Sequence, residues 1–127
     1  ASSGAGAVIR AEVSGVLAAA TGPAAALTLS SVKMGGTPRS MRLSPGGKWL
    51  FVALNSDSRV AAVDAKKMEV VARVGADSFP VGMDISPDGR FLWVTSQGID
   101  GAGGNSGGVY EIRAASAAPR YQMPPLP

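Results

Sequence analysis

Cysteine and histidine are both absent from the 127 residues of this chain. Within the chain, their absence excludes disulfides, thiolate chemistry, zinc sites of the usual ligand types, haem ligation through histidine and a Ser-His-Asp triad. We therefore expect no cofactor and no catalytic residue, and leave a bound metal as an open question.

Long apolar runs are also missing, because glycine, proline or charge interrupts each one well before the roughly 18 residues of a membrane-spanning helix. Twelve Lys and Arg against nine Asp and Glu give a net charge of +3, and the cations are interleaved with the acids. A nucleic-acid surface concentrates its basic charge. The sequence thus predicts a globular domain with neither a nucleic-acid partner nor a membrane span.

The first seven residues, ASSGAGA, are small and polar and contain no charged leader followed by an apolar stretch. The chain opens on alanine instead of methionine, which is typical of a processed or partial chain. We expect any signal peptide to have been removed, and we expect a periplasmic or secreted location.

Two sixteen-residue stretches are near copies of each other, TPRSMRLSPGGKWLFV at 37–52 and FPVGMDISPDGRFLWV at 79–94. They are offset by 79 − 37 = 42 residues without a gap, and seven of the sixteen pairs are identical. A period of this length indicates a repeat architecture in which each repeat is one supersecondary unit.

Each repeat is predicted to form four antiparallel strands, a to d, separated by clusters of turn-forming residues. In the first copy these are 40–43, 49–54, 59–63 and 69–74. In the second copy the strands are 81–86, 91–96 and 109–113, and a long glycine-rich loop at 97–108 precedes the third of them. A short edge segment at 120–123 lies inside a proline-rich tail at 114–127. Upstream, 25–32 aligns with strand d, 16–20 is predicted as strand c, and 7–13 as a weak strand b.

The segment SPDGRFLWVTS at 86–96 resembles the S-P-D-G-x-x-x-Y-V-T-N run of the YVTN-type β-propeller repeat family, and SPGGKWLFVAL at 44–54 is a weaker version of it. The substitutions are Trp93 and Phe51 for Tyr, Ser96 and Leu54 for Asn, and Gly46 for Asp. The resemblance covers about residues 25–113. It implies an all-β fold of β-propeller blades, four-stranded antiparallel sheets that form an incomplete ring of roughly two and a half to three blades.

The whole chain, 1–127, is interpreted as one propeller segment: a partial blade at 7–32, a complete blade at 37–74, and a third blade at 79–123 whose last strand is weak. Closed propellers have about four to eight blades. Three arrangements stay open, namely a piece of a longer propeller, a ring closed by copies of the chain, and an open stack. We favour the first, with the remaining blades supplied by another chain.

In a blade, the b–c and d–a connections emerge at one rim, and the a–b and c–d turns emerge at the other. The first rim collects the candidate ligand-binding side chains, and the loop at 97–108 adds length there, where function tends to be placed. Asp100 and Asn105 carry oxygen atoms of the kind that Ca²⁺ binds, but their spacing matches no standard calcium loop. The candidates are Arg39, Asp57, Asp77, Gln97, Asp100 and Asn105.

The repeat positions give three further predictions. Arg42 and Asp84 occupy the same place in strand a, and we expect them to pair across neighbouring blades, with binding of a charged ligand as the alternative. Met41 and Met83 should fill the gaps between blades. The strand-b aromatics are predicted to lie in the core: Trp49, Phe51, Phe91 and Trp93.

The function favoured by these features is a non-catalytic binding or scaffold module that recognises a protein or a small-molecule ligand. The first alternative is the wall of a propeller enzyme, because the resemblance includes lactonase-like hydrolases and haem d1- or quinone-dependent oxidoreductases. Carboxylates such as Asp57, Asp77 or Asp100 would then face the channel. The second alternative is a lectin-like ring of copies, with Phe79 and Tyr110 as rim aromatics.

Overall fold

The computed structural model describes residues 6–12, 29–98, 106–112 and 119–123. Within these ranges every regular element is a β-strand, and each strand pairs antiparallel with its neighbours. The strands are β1 Ala7–Ala11, β2 Leu29–Lys33, β3 Pro38–Leu43, β4 Trp49–Leu54, β5 Arg59–Asp64, β6 Glu69–Gly75, β7 Pro80–Ile85, β8 Phe91–Ser96, β9 Ser106–Glu111 and β10 Pro119–Met123. They form a first sheet of β1 and β2, a second sheet of β3 to β6 and a third sheet of β7 to β10.

The second sheet has the strand order β3-β4-β5-β6, so consecutive strands are neighbours as predicted for strands a to d. β4, with the sequence WLFVAL, is rich in aromatic and β-branched residues that suit a buried strand. A β-bulge interrupts the register between Pro38 and Met41, and another lies between Ala62 and Val63. The four-stranded unit predicted at 37–74 is confirmed.

The third sheet repeats this order as β7-β8-β9-β10. β10 extends from Pro119 to Met123 and pairs with β9, so the short edge segment predicted at 120–123 is confirmed as the fourth strand. Its register shifts between Pro119 and Tyr121, at a proline that suits only an edge strand. Most of the glycine-rich loop, from 99 to 105, and most of the proline-rich tail lie outside the described residues.

The first sheet corrects one prediction. β1 pairs directly with β2, and Val8 faces Val32 across it, whereas in the second sheet Val60 of β5 faces Val74 of β6. β1 is therefore the counterpart of β5, a strand c, and the prediction of a strand b at 7–13 is wrong. The strand c predicted at 16–20 lies outside the described residues.

The backbone at the start of β1 supports the same equivalence. Gly6 has a φ of 59° and Ser58, which precedes β5, has a φ of 51°. Each accepts an N–H bond from the residue after strand d, 2.8 Å long in both cases. The offset is 60 − 8 = 52 residues for strand c but 74 − 32 = 42 for strand d. Ten additional residues thus separate β1 from β2, which a constant period does not anticipate.

Two apolar clusters lie on opposite faces of the second sheet. One includes Phe51 and Ala53 of β4 packed with Met83, Leu92 and Val94 of the third sheet. The other includes Val8, Met34, Val52, Leu54, Ala61, Val63 and Met68, with Met41 and Leu50 packed against it. Met41 and Met83 therefore occupy the gaps between sheets, as predicted, and the second sheet is covered on both faces.

The strand-b aromatics differ in burial. Phe51 is 3% exposed, but Trp93, the residue 42 positions later, is 52% exposed. Trp49 and Phe91 are half-buried, and the cationic ends of Lys48 and Arg90 lie over their rings at 4.9 and 5.2 Å. The prediction of a core position is wrong for Trp93, because it lies on the face of the third sheet that turns away from the second.

Strand a of the second sheet, β3, contacts strand a of the third sheet, β7. Here Arg42 Nε lies 3.8 Å from Asp84 Oδ1, which confirms the predicted pairing between neighbouring sheets. The two side chains are 51% and 84% exposed, so this ion pair contributes at most about 1 kcal/mol to stability. No described helix is long and apolar enough to cross a membrane.

Candidate functional site

One end of the sheets collects the connections d–a and b–c, as predicted. We define the b–c rim as residues 34–39, 55–58, 76–79 and 97–98. Backbone hydrogen bonds join these connections in pairs: Asn55 N–H donates to Thr37 O at 2.8 Å, and Gln97 N–H donates to Phe79 O at 3.0 Å. Each b–c turn is thereby fixed to the d–a linker that enters the same sheet.

A further hydrogen bond joins two sheets at this rim. Asn55 follows β4 in the second sheet, is 8% exposed, and donates through Nδ2 to Pro80 O of the third sheet at 3.2 Å. A buried amide that lost this acceptor would bear a desolvation cost of about 1–3 kcal/mol. The linker 76–79 and the turn 55–58 therefore hold a fixed position relative to each other.

The candidate side chains differ in their surroundings. Arg39, Asp57 and Gln97 are exposed, whereas Asp77 is half-buried and its carbonyl accepts a bond from Ser96 Oγ at 3.3 Å. The carboxylate of Asp57 lies against Gly36, where a Cβ atom, if the residue had one, would be 2.9 Å from Asp57 Oδ2.

The structure therefore brings four of the six candidates to one rim. Arg39 lies in β3 beside Pro38, which pairs with Leu54 at the start of the b–c turn. No ion pair joins Arg39 to Asp57 in the described part of the chain.

Asp100 and Asn105 lie outside the described residues, and so does the side chain of Tyr110. Phe79, the other predicted rim aromatic, is 40% exposed with a φ of 58°.

The same residues offer limited chemistry. Among the described side chains, no three carboxylates come close enough together to hold a metal ion. The exposed groups at the rim carry both signs of charge, a guanidinium at Arg39 and a carboxylate at Asp57, together with the amide of Gln97. Such a set donates and accepts hydrogen bonds, which suits recognition of a polar surface.

The opposite rim contains the a–b turns, which differ between the two copies. In the third sheet, Ser86 Oγ donates to Asp88 Oδ1 at 2.5 Å and accepts from Phe91 N at 3.0 Å, while Arg90 N–H donates to Asp88 Oδ1 at 3.0 Å. These hydrogen bonds hold the pKa of Asp88 below its ordinary value, and the bond from Ser86 Oγ contributes more than the bond from Arg90 N–H. In the second sheet, Gly46 occupies the corresponding position with a φ of 83°. Glycine adopts this conformation freely, whereas Asp would adopt it only at a conformational cost.

We expect Asp88→Asn to lower the urea midpoint of unfolding at neutral pH, with the difference from wild type disappearing in acid. A carboxyl with a lowered folded pKa contributes stability above its ordinary value of 3.8, and this contribution is lost as the pH falls through the lowered pKa. Urea unfolding at a series of pH values measures the effect. A double-mutant cycle with Ser86→Ala is the control, and a coupling that persists in acid would contradict the assignment.

A groove lies beside β1, on the side of the first sheet away from β2. It has a volume of about 440 Å³. Its mostly apolar lining comes from both sheets that it separates and includes the charged side chain of Arg10. The repeat pattern does not indicate the groove, because it predicts the same burial for Met41 and Leu50 as for Met83 and Leu92. The lining includes Val8, Ile9, Met41, Leu43, Leu50 and Met68.

Comparison with known proteins gives structural matches only. No family model matches the chain, and no curated protein matches it. The hydrazine synthase of Kuenenia stuttgartiensis is 22% identical, with a TM-score of 0.64 over 73% of this chain and 25% of that one. A Bacteroides uniformis protein, provisionally named as a 6-phosphogluconolactonase, is 18% identical, with a TM-score of 0.67 over 77% of this chain and 30% of that one.

A protein of unknown function from Desulfotomaculum acetoxidans is 18% identical, with a TM-score of 0.62 over 76% of this chain and 31% of that one. The chain thus spans between a quarter and a third of the length of these structures. Together with the stacked four-stranded sheets, the likeness defines the class of protein. The chain is an all-β segment of a β-propeller, with an incomplete ring of two and a half to three blades.

Proposed function

We propose that this chain is a non-catalytic binding or scaffold segment of a larger propeller of the YVTN repeat type, and that the b–c rim recognises a protein or small-molecule ligand. The observation that carries the proposal is the buried bond from Asn55 Nδ2 to Pro80 O, which fixes the turn of one sheet to the linker of the next. A surface whose backbone is already ordered loses less conformational entropy when it binds.

The rim also presents suitable side chains. Arg39 and Asp57 are both exposed and carry opposite charges, and Gln97 adds an amide that both donates and accepts. Phe79 contributes an aromatic ring that is 40% exposed, of the kind enriched in recognition surfaces. This combination favours a peptide or protein segment with charges of both signs as the ligand.

The location that we propose is periplasmic or secreted. Fractionation of the cells that produce the protein, followed by detection with an antibody, tests this location. Recovery with the cytoplasmic fraction would contradict it.

Selection of a random-peptide phage library against the purified chain tests the binding surface. We expect selected peptides to lose binding by about tenfold or more on the triple variant Arg39→Ala/Asp57→Ala/Gln97→Ala, a loss of at least about 1.4 kcal/mol. The matched control changes three exposed residues of the opposite rim, Lys48→Ala/Lys66→Ala/Lys67→Ala. Peptides that distinguish only the control variant, or a selection that yields no binder, would overturn the proposal.

The second candidate is the wall of a propeller enzyme. It is favoured by the names of two similar structures, a hydrazine synthase and a protein provisionally named as a lactonase. Hydrolysis of glucono-δ-lactone, followed by titration of the acid released, separates the two candidates. Turnover above the spontaneous rate that is lost on Asp57→Asn or Asp77→Asn would favour the enzyme.

A further inference from the structure

We propose that Phe79 is the anchor residue of the b–c rim, and that its ring packs on an apolar side chain of a peptide or protein ligand. The inference rests on the proposed function for the location of the binding surface. It deepens that function, because it names the residue that decides which ligands bind and the kind of side chain that they present.

The backbone of Phe79 has an unfavourable conformation. Its φ of 58° lies in the left-handed region, which a residue with a Cβ atom occupies only at a cost in free energy. Thr37, the residue 42 positions earlier, has no positive φ. In that linker the positive values fall on Gly35 and Gly36, at 71° and 58°, and glycine adopts them freely. The same connection can therefore be built without cost, whereas the linker into the third sheet places the cost on an aromatic residue.

Hydrogen bonds from two sheets hold Phe79 in this conformation. Ala76 N–H donates to Ser58 O at 2.8 Å, and Phe79 N–H donates to Ser58 Oγ at 3.5 Å, both on the turn of the second sheet. On the third sheet, Gln97 N–H donates to Phe79 O at 3.0 Å. A strained residue persists only where its surroundings fix it in this way, and such residues cluster at functional sites.

The ring of Phe79 contributes little to the core that would offset this strain. It is 40% exposed and belongs to neither apolar cluster. Trp49 and Phe91 each have a cationic side chain over the ring, whereas no described cation lies over the ring of Phe79. The face of this ring is therefore open to a ligand.

The chemistry of the ring defines the ligand group that it selects. A phenyl ring has no hydrogen-bonding atom, so it favours an aromatic or a large aliphatic partner. Polar groups lie close by, since Asp57 precedes Ser58, whose hydroxyl accepts the N–H of Phe79. Arg39, Asp57 and Gln97 are all exposed at the same rim. The ligand is thus a peptide segment with a large apolar side chain between polar residues.

Peptides selected from the phage library against the purified chain are the probes for this role. We expect them to contain an aromatic or large aliphatic residue. In fluorescein-labelled form they should bind Phe79→Gly at least about tenfold more weakly than wild type, because a few well-packed side chains carry most of the energy of an interface. Phe79→Tyr retains the ring and should bind within about threefold of wild type.

A matched control comes from an apolar residue of equal exposure. Val71 is also 40% exposed but lies in β6, away from the rim, and we expect Val71→Ala to change peptide affinity less than about twofold. Binding that is lost on Arg39→Ala/Asp57→Ala/Gln97→Ala but kept on Phe79→Gly would overturn this inference and leave the proposed function standing. A selection that yields no binder would overturn both.

Urea unfolding tests the strain separately from binding. Phe79→Gly and Phe79→Ala both remove the ring, but only glycine adopts the positive φ freely. We expect the glycine variant to have the higher urea midpoint, by about 0.3 M or more. At Thr37, which has no positive φ, the order should reverse, with Thr37→Ala above Thr37→Gly. Alanine above glycine at both positions would show that Phe79 bears no conformational cost and would overturn the inference.

Fluorine NMR tests whether the ring is open to solvent. The chain has three phenylalanines, which can be replaced by 4-fluorophenylalanine, and the resonance that disappears in Phe79→Tyr belongs to Phe79. We expect this resonance to shift between H2O and D2O and to move again when a selected peptide is added. The resonance of Phe51, which is 3% exposed, should do neither. A Phe79 resonance that is insensitive to solvent would show that the ring is covered and would overturn the inference.

Discussion

Leu92→Ala lowers the free energy of unfolding by about 2–5 kcal/mol, the range for truncating a fully buried leucine. Leu92 is 0% exposed, and it lies in β8 in the cluster that joins the second and third sheets. Removal of its side chain leaves a cavity beside Phe51 and Met83, whose positions are fixed by their own strands. Urea unfolding followed by circular dichroism gives the change in free energy, with an unchanged m-value as evidence that the same surface unfolds.

The repeat provides matched controls for this substitution. Leu50 occupies the same repeat position but is half-buried, and Leu43 is 55% exposed. We expect the cost of substitution by alanine to decrease from Leu92 to Leu50 to Leu43, the last within about 0.5 kcal/mol of zero. Equal costs at Leu92 and Leu50 would contradict the incomplete cover that the structure shows over Leu50.

Gly36→Ala should destabilise the chain by more than its backbone conformation alone explains. Gly36 has a φ of 58°, where a residue with a Cβ atom bears a cost of roughly 1–2 kcal/mol. A Cβ atom there would also lie 2.9 Å from Asp57 Cγ and 3.1 Å from Leu54 Cβ, so a neighbouring group must move. We expect a total loss of about 2–3 kcal/mol, again measured by urea unfolding.

A control glycine separates the two causes. Gly46 has a φ of 83°, but a Cβ atom added to it would meet no atom within 4 Å, so Gly46→Ala measures the backbone cost alone. The double variant Gly36→Ala/Asp57→Ala should recover part of the loss, with a coupling of about 0.5–3 kcal/mol. Equal effects of Gly36→Ala and Gly46→Ala, without coupling to Asp57, would show that the close approach at Gly36 is relieved without cost.

The repeat made most of the fold predictable. An ungapped copy at a fixed offset aligns strand with strand and turn with turn, so the bounds of β4 and β8 and the positions of Met41 and Met83 followed directly from the sequence. The charges of Arg42 and Asp84 were predictable as a pair because the same position of adjacent blades meets at the centre. Strand bounds and contacts between equivalent positions of adjacent repeats can both be read from the repeat alignment.

The errors at β1 and at Trp93 have one origin. A repeat period specifies neither the length of each connection nor which sheet faces are covered. The alignment assigned β1 to strand b because it kept the 42-residue offset, whereas ten additional residues lie between β1 and β2. The pattern likewise placed Trp93 in the core because Phe51 is there. Trp93 lies on the face of the third sheet that no described sheet covers, and the strand pattern does not specify which faces are covered.

The candidate site was predictable only in outline. The direction of the connections placed Arg39, Asp57, Asp77 and Gln97 at one rim, since that follows from strand order. The bond from Asn55 to Pro80 O depends on how two twisted sheets approach each other, and the groove depends on which strands the first sheet has. Neither is encoded by spacing along the chain.

The second sheet, which is packed on both of its faces, sets a gradient of local stability along the molecule. In a stack where each unit contacts only its neighbours, a unit with two neighbours needs to break two interfaces to open, and a terminal unit breaks one. Among the described sheets, the second is therefore expected to open least often, and its amides to exchange most slowly with solvent.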